Sequence, residues 1–249
     1  MRGEVRSEMA RMKSTMAAAV VAAASLITSA SALAADEAPL SPAQLALFES
    51  EHLAGVRQPA RLEYAFRHAG PDGGEPFEDR VDVDVRPRGD GAKDVWTDFL
   101  SGERHAPFPP MLGFRGNPVV MFYLEHDVGE MHRRTGGTAT FFRNRIRQAF
   151  VDRAEIRDIE VSLDGKTMPA REITLRPFAG AAHLAPFPGL ADKLYRFVLA
   201  DGIPGSVYLL GAEVPGAPGE PARLSETLTF AKQLPCAGAE GPCAQEGVQ

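Results

Sequence analysis

The sequence predicts an α+β fold: a strongly curved antiparallel β-sheet, half-barrel-like, with an N-terminal helix and central helices packed on it. Three observations predict it. Runs with period-two alternation, Leu62-Glu-Tyr-Ala-Phe66 and Val81-Asp-Val-Asp-Val85, precede the chain's middle, and strand-like runs resume after it from Glu155. Runs with helical spacing are gathered in that middle rather than interleaved with strands. Turn signals such as Arg88-Gly-Asp-Gly91 and Asp164-Gly165 separate successive strand-like runs. Gathered helices and hairpin-linked strands define an antiparallel α+β architecture rather than a parallel one.

The elements follow in order. Ser41-Pro42 opens the first helix, with Ser41 as N-cap and Pro42 at the first helical position, and Leu45, Phe48 and Leu53 supply its apolar side. Leu62, Tyr64 and Phe66 form one face of a strand, and Val81, Val83 and Val85 one face of the next; Asp82 and Asp84 are then read as a solvent face. Lys93 to Leu100 is the returning strand. Asn117-Pro118 starts a helix on which Val120, Leu124, Val128 and Met131 recur at helical spacing, and Gly136-Gly137 ends it. Thr138 to Val151 fits a helix or a strand, and a helix from about Phe141 is the preferred reading. Hairpins follow at Glu155 to Leu163 with Thr167 to Arg176, and at Lys193 to Leu199 with Ser206 to Ala212. Leu224 to Ala231 closes the series, giving helix, three strands, two helices and five strands.

The first thirty-four residues read as an address. Arg11 and Lys13 precede the apolar run Met16 to Ile27, and Ala32-Leu-Ala34 follows it, which is the pattern of a secretory signal cut after Ala34. Glu4 and Glu8 are unusual there, and a start at Met12 gives a tidier signal. Residues 35–233 are then a single α+β domain, and residues 234–249 a mobile tail carrying both cysteines. The location is periplasmic, or secreted, and the processed chain is not membrane-spanning. Loss of four basic and two acidic side chains takes the net charge from −6 to −8. An acidic chain of this kind is not a nucleic-acid module. Cys236 and Cys243, in a Gly/Pro/Ala setting on an exported chain, are expected to be bonded.

Motif chemistry is sparse. The processed chain lacks G-x-S-x-G, S-x-x-K, Walker A and a strand-linked G-x-G-x-x-G. Glu125-His-Asp127 with Glu130 and His132 packs five potential ligands into eight residues, but H-E-x-x-H spacing is absent. A solvated helix face is the preferred reading of that run; a metal-dependent hydrolase using His126, Glu130 and His132 is the alternative. Arg133, Arg134, Arg143, Arg145 and Arg147 form a basic cluster whose guanidinium groups suit an anionic head group, or serve as ordinary surface charge. The segment His105-Ala-Pro-Phe-Pro109 is echoed by His183-Leu-Ala-Pro-Phe-Pro188, either through shared Ala/Pro bias or as two apolar loops that rim a pocket.

The export signal, the opening helix, the Leu62–Phe66 strand and Gly116-Asn-Pro-Val-Val-Met-Phe-Tyr-Leu124 leading into a central helix resemble the LolA-type family of periplasmic half-barrels. The resemblance covers about the first half of the processed chain and rests on element order. It implies carriage of a lipoprotein or another lipid. The expected function is a non-enzymatic, exported protein that binds a hydrophobic ligand or lipid, without a cofactor or metal. Phe108, Phe122 and Phe187 are expected at the rim or lining, and Arg143 and Arg147 at a head group. A cell-envelope interaction or chaperone module with a protein partner is the further alternative.

Overall fold

The computed structural model describes residues 39–187, 189–237 and 241–243; the segment read as an export signal lies outside them. The chain enters through α1 (Pro42–Gln44), closed by a capping box in which Ser41 and Gln44 bond each other's backbone, and it continues as a π-turn, Leu45–Glu49. Ser50 turns to extended backbone and its Oγ donates to Leu45 O at 3.0 Å, which ends the helix. The expected apolar face therefore breaks: Leu47 and Leu53 are buried, while Leu45 stays exposed.

Among the described residues, ten strands form one open antiparallel sheet. The first five are β1 (Ala60–Ala69), β2 (Phe77–Pro87), β3 (Lys93–Phe99) and two short pieces, β4 (Ala106–Pro107) and β5 (Met111–Phe114), both paired to β3. The sequence reading gave three strands here. Pro107, Pro109 and Pro110 cut the fourth run into fragments, because proline cannot donate to a ladder. The echoed segment at His105 thus contributes a strand fragment rather than a free loop. Two helices follow, α2 (Val119–Thr135) and α3 (Ala139–Asp152). Gly136 closes α2 in the left-handed region at φ 69°, and Thr138 Oγ1 caps α3 by accepting from Phe141 N at 3.2 Å. The remaining strands are β6 (Glu155–Leu163), β7 (Lys166–Leu175), β8 (Leu194–Leu199), β9 (Val207–Val214) and β10 (Leu224–Pro235).

The strand order is β4-β3-β2-β1-β10-β9-β8-β7-β6. The two halves of the chain meet where β1 pairs with β10, and the helices carry the chain from one sheet edge to the other. Bulges at Glu63/Tyr64 and Val198/Leu199 break the registers of β1 with β10 and of β8 with β9, which bends and twists a sheet. The Asp164-Gly165 turn has φ 51° and 76°, the pair of positive angles that a two-residue hairpin requires.

The helix-facing side of the sheet carries Leu62, Tyr64 and Phe66 of β1, Val81, Val83 and Val85 of β2, Tyr195 and Phe197 of β8, and Leu228 and Phe230 of β10, all buried. With Phe99, Tyr123, Phe142 and Phe178 they fill the space between sheet and helices.

Asp82 and Asp84 depart from the sequence reading, being buried rather than solvent-facing, and Arg86 on the same strand is buried too. Arg61, directly opposite Asp84 in the β1–β2 register, holds it by two hydrogen bonds of 2.7 and 2.9 Å. The C-terminal loop covers the rest. Cys236 and Cys243 are bonded, Cys243 N donates to Asp84 Oδ2 at 2.8 Å, and Arg86 donates to the Gly241 and Ala237 carbonyls. The part of the expected tail that is described therefore lies on β2.

Candidate functional site

A groove of about 750 Å³ runs between the N-terminal turn, α2 and α3. Phe48, Met121, Leu124, Val128, Ile146 and Phe150 form its apolar lining, and Val151 is an exposed apolar side chain at its edge. Helical geometry makes this surface: Met121, Leu124 and Val128 repeat at intervals of three and four on α2, as do Asn144, Arg147 and Val151 on α3. Arg143 and Arg147 also line it. Arg143 donates from Nε to Glu125 Oε2 at 2.9 Å and from Nη2 to Oε1, tying α3 to α2. That pairing holds the Glu125 carboxyl below its ordinary range. Arg147 is exposed and has no ion pair among the described residues.

The two arginines expected at a head group therefore share one groove. The three phenylalanines do not join them. Phe108 and Phe122 stack on each other with ring centroids 4.1 Å apart, and Phe108 meets Phe99 edge-on at 5.5 Å. Neither lines the groove. Phe187 is half-buried in the connection between β7 and β8, several strands away from the β3–β4 side that carries Phe108.

The run Glu125 to His132 is dispersed by the helix. Glu125 faces the groove. Asp127 is buried, where it accepts from Lys193 Nζ and from Tyr195 OH. Glu130 pairs with Arg133. His132 Nδ1 bonds the Gly137 carbonyl at 2.7 Å, so the ring closes the end of α2. His126 is half-buried beside Phe66 and Phe99, with ring centroids 5.9 and 5.1 Å away. Among the described residues no three His, Cys, Asp or Glu side chains form a group able to hold a metal. The reading of this run as a solvated face also fails at Asp127, whose charge is compensated inside the core.

A second cavity, about 450 Å³ and more polar, opens beside His126, with His68, Phe77, Arg104, Glu130 and Glu226 in its wall. His68 and Glu226 are direct partners in the β1–β10 register, and His68 Nδ1 lies 2.9 Å from Glu226 Oε1. His68 Nε2 lies 2.8 Å from the Gly73 carbonyl. Both neighbours are acceptors, so both contacts are hydrogen bonds only when the imidazole carries two protons. The bond to Glu226 accordingly raises the His68 pKa. Burial lowers that of His126, and also that of His52, whose Nε2 donates to Ala46 O at 2.8 Å. Sequence reasoning missed His68 and Glu226. Their signal is a polar residue that continues an apolar stripe: Leu62, Tyr64, Phe66, His68 on β1, and Leu224, Glu226, Leu228, Phe230 on β10.

These shifts have opposite signs in stability. His52 and His126 refuse protons that the unfolded chain takes up below about pH 6.5, so stability falls as the pH drops below that value. His68 contributes fully below about pH 6.5, and its contribution is lost as the pH rises through its raised pKa. Urea midpoints measured from pH 5 to 9 are therefore expected to decline on both sides. His68→Gln removes the alkaline decline and keeps the acid one. An unchanged alkaline limb in that variant contradicts the assignment.

The fold and groove define the class as an open antiparallel sheet crossed by two helices, with an apolar, arginine-edged cleft between helices. No protein-family model and no curated protein matches the chain. Solved structures do. MucB is 13% identical, with a TM-score of 0.33 over 78% of this chain and 62% of that one. The Mycobacterium tuberculosis lipoprotein LppX is 15% identical, with a TM-score of 0.34 over 78% of this chain and 96% of that one. The Pseudomonas aeruginosa MucA/MucB complex gives 14% and 0.31 over 76% of this chain and 56% of that one. The chain thus spans less than two thirds of MucB's length.

Proposed function

We propose that this is an exported, non-enzymatic envelope protein that holds the acyl chain of an anionic amphiphile in the groove between the N-terminal turn, α2 and α3. The observation that carries the reading is the groove itself: about 750 Å³, with Phe48, Met121, Leu124, Val128, Ile146 and Phe150 in its lining and the exposed Arg147 beside them. Its size lies in the range of small-molecule sites. Burial of about ten methylenes contributes roughly 8 kcal/mol, enough for micromolar binding. Arg147 supplies the head-group contact. Arg143 is already held by Glu125 and keeps the two helices at the spacing the chain needs. The candidate export segment and the absence of a helix among the described residues that is long and apolar enough to cross a membrane fit a processed, periplasmic carrier.

Native mass spectrometry of the chain recovered gently from the cell envelope, followed by organic extraction, tests this. A stoichiometric lipid is the expected result. Leu124→Asp and Val151→Asp, the latter at an exposed position that the fold tolerates, should each weaken uptake about tenfold or more. Arg147→Glu should lower affinity for an anionic amphiphile and leave that for a neutral one unchanged. A protein free of bound mass that takes up no lipid on incubation overturns the reading.

A further inference from the structure

We propose that the Cys236–Cys243 loop is a thiol-released latch: a dithiol reductant attacks the disulfide at Cys236, frees the loop from β2, and uncovers charged side chains on the sheet face opposite the helices. Three observations lead there. The first is what lies underneath. Asp84 and Arg86 alternate with the helix-facing valines of β2, so they belong to the outer face, yet both are buried. The second is what holds the cover. Arg61 Nη2 donates to Cys243 O at 3.2 Å, Cys243 N donates to Asp84 Oδ2 at 2.8 Å, and Arg86 donates to the Gly241 and Ala237 carbonyls. Between its cysteines the sequence is Ala-Gly-Ala-Glu-Gly-Pro, which brings no large apolar side chain to anchor it. A seam of hydrogen bonds exchanges its partners for water with a small net change, whereas apolar burial has no such substitute. The disulfide therefore decides whether the loop stays down. The third is access. Cys243 is 7% exposed and Cys236 is only half-buried, so Cys236 Sγ is the sulfur that a thiolate reaches.

The exchange runs in two steps. One thiolate of the reductant bonds to Cys236 Sγ as the Cys236–Cys243 bond breaks, and Cys243 leaves with the electron pair as a thiolate and takes up a proton. The second thiol of the reductant then displaces Cys236, so the reductant ends as a disulfide and the protein as two thiols. Cys236 keeps its place throughout. Its amide donates to Pro59 O at 3.1 Å, beside the Ala60–Pro235 pair that ends the β1–β10 ladder. The part that moves therefore starts at Ala237. The Arg61–Asp84 pair stays joined by its own two hydrogen bonds, so the uncovered face is compensated in water and the sheet survives the opening.

Hydrogen exchange of the full chain, oxidised and then in about 10 mM dithiothreitol, tests the proposal. The Cys243 amide is expected to exchange at least about tenfold faster once reduced, while the amides of the β1–β2 ladder keep their protection. Trp96, the only tryptophan, is the direct partner of Asp84 in the β2–β3 register, and its emission should move to longer wavelength on reduction with the far-ultraviolet sheet signal unchanged. Cys236→Ser combined with Cys243→Ser should show the open pattern without reductant. Glutathione quenched with N-ethylmaleimide should be found on Cys236, with the maleimide on Cys243. A Cys243 amide still protected after reduction means that the seam alone holds the loop. Loss of β1–β2 protection along with it means that the loop is a fixed part of the fold. A disulfide that dithiothreitol leaves intact, or glutathione on Cys243, means that Cys236 is not the point of attack. Any of these overturns the proposal.

Discussion

Replacement of Lys193 by Met is expected to destabilise the fold by about 3–5 kcal/mol, the cost of stranding a buried charge. Lys193 and Asp127 are each 1% exposed at the side chain, and they are joined directly, with Tyr195 OH donating to the second Asp127 oxygen. The trio pins α2 to the start of β8. Met matches the lysine stem in shape but leaves the carboxylate with only the Tyr195 hydroxyl. The pair itself contributes less than this number, because both charges were desolvated to form it. The triple variant Lys193→Met, Asp127→Leu, Tyr195→Phe, which removes every polar member together, should therefore recover most of the loss. Urea midpoints at constant m-value measure both. A triple variant as unstable as the single one would show that packing, not charge, sets the cost.

The same trio marks the boundary of what the sequence reveals. Alternation along Leu62–Phe66 and Val81–Val85, the caps at Ser41 and Gly136, and the Asp164-Gly165 turn are local signals, and each led to an element that exists. Charges were misread wherever a partner lies far along the chain. Asp127 reads as a wet helix face until Lys193, 66 positions away, is placed on it. Asp82 and Asp84 read as a wet strand face until Arg61 and the Cys236–Cys243 loop cover them. Glu226 lies in step with the apolar Leu224, Leu228 and Phe230, and its partner emerges only when β1 sets His68 opposite it. The groove was half legible. Arg143 and Arg147 were singled out for their chemistry, yet their apolar companions Met121 and Leu124 come from another helix, whose rotation about its axis no single-helix pattern gives. Phe108 and Phe122 were expected at the rim or lining of a hollow and stack on each other outside the groove, because large rings fill space as readily as they line it.

Asn117→Ala is expected to cost about 2–4 kcal/mol, more than one average hydrogen bond, because the side chain serves three partners at a junction closed to water. Asn117 is 3% exposed. Its Nδ2 donates to Tyr64 OH at 2.9 Å and to the Gly205 carbonyl at 3.1 Å, and its Oδ1 accepts from Val119 N at 3.1 Å. One residue thereby caps α2, holds β1 and fixes the turn that joins β8 to β9. The turn depends on it in a second way. Gly205 has φ 78°, and a Cβ there would stand 2.7 Å from Leu62 Cδ1 and 2.9 Å from Asn117 Nδ2, so the backbone approaches this amide more closely than any other residue type allows. Alanine at 117 leaves the buried Val119 amide without its acceptor and takes one donor each from the Tyr64 hydroxyl and from the Gly205 carbonyl, which keeps only Val207 N. Asn117→Asp keeps the cap on Val119 but sets a carboxylate against the Gly205 carbonyl, so it should rescue only part of the loss. Hydrogen exchange separates this from a general loosening: the Val119 amide should lose protection in Asn117→Ala by more than the global destabilisation requires, and keep it in Asn117→Asp. Equal protection in the two variants would mean that Asn117 acts by filling space, and that the start of α2 is set by Pro118 alone.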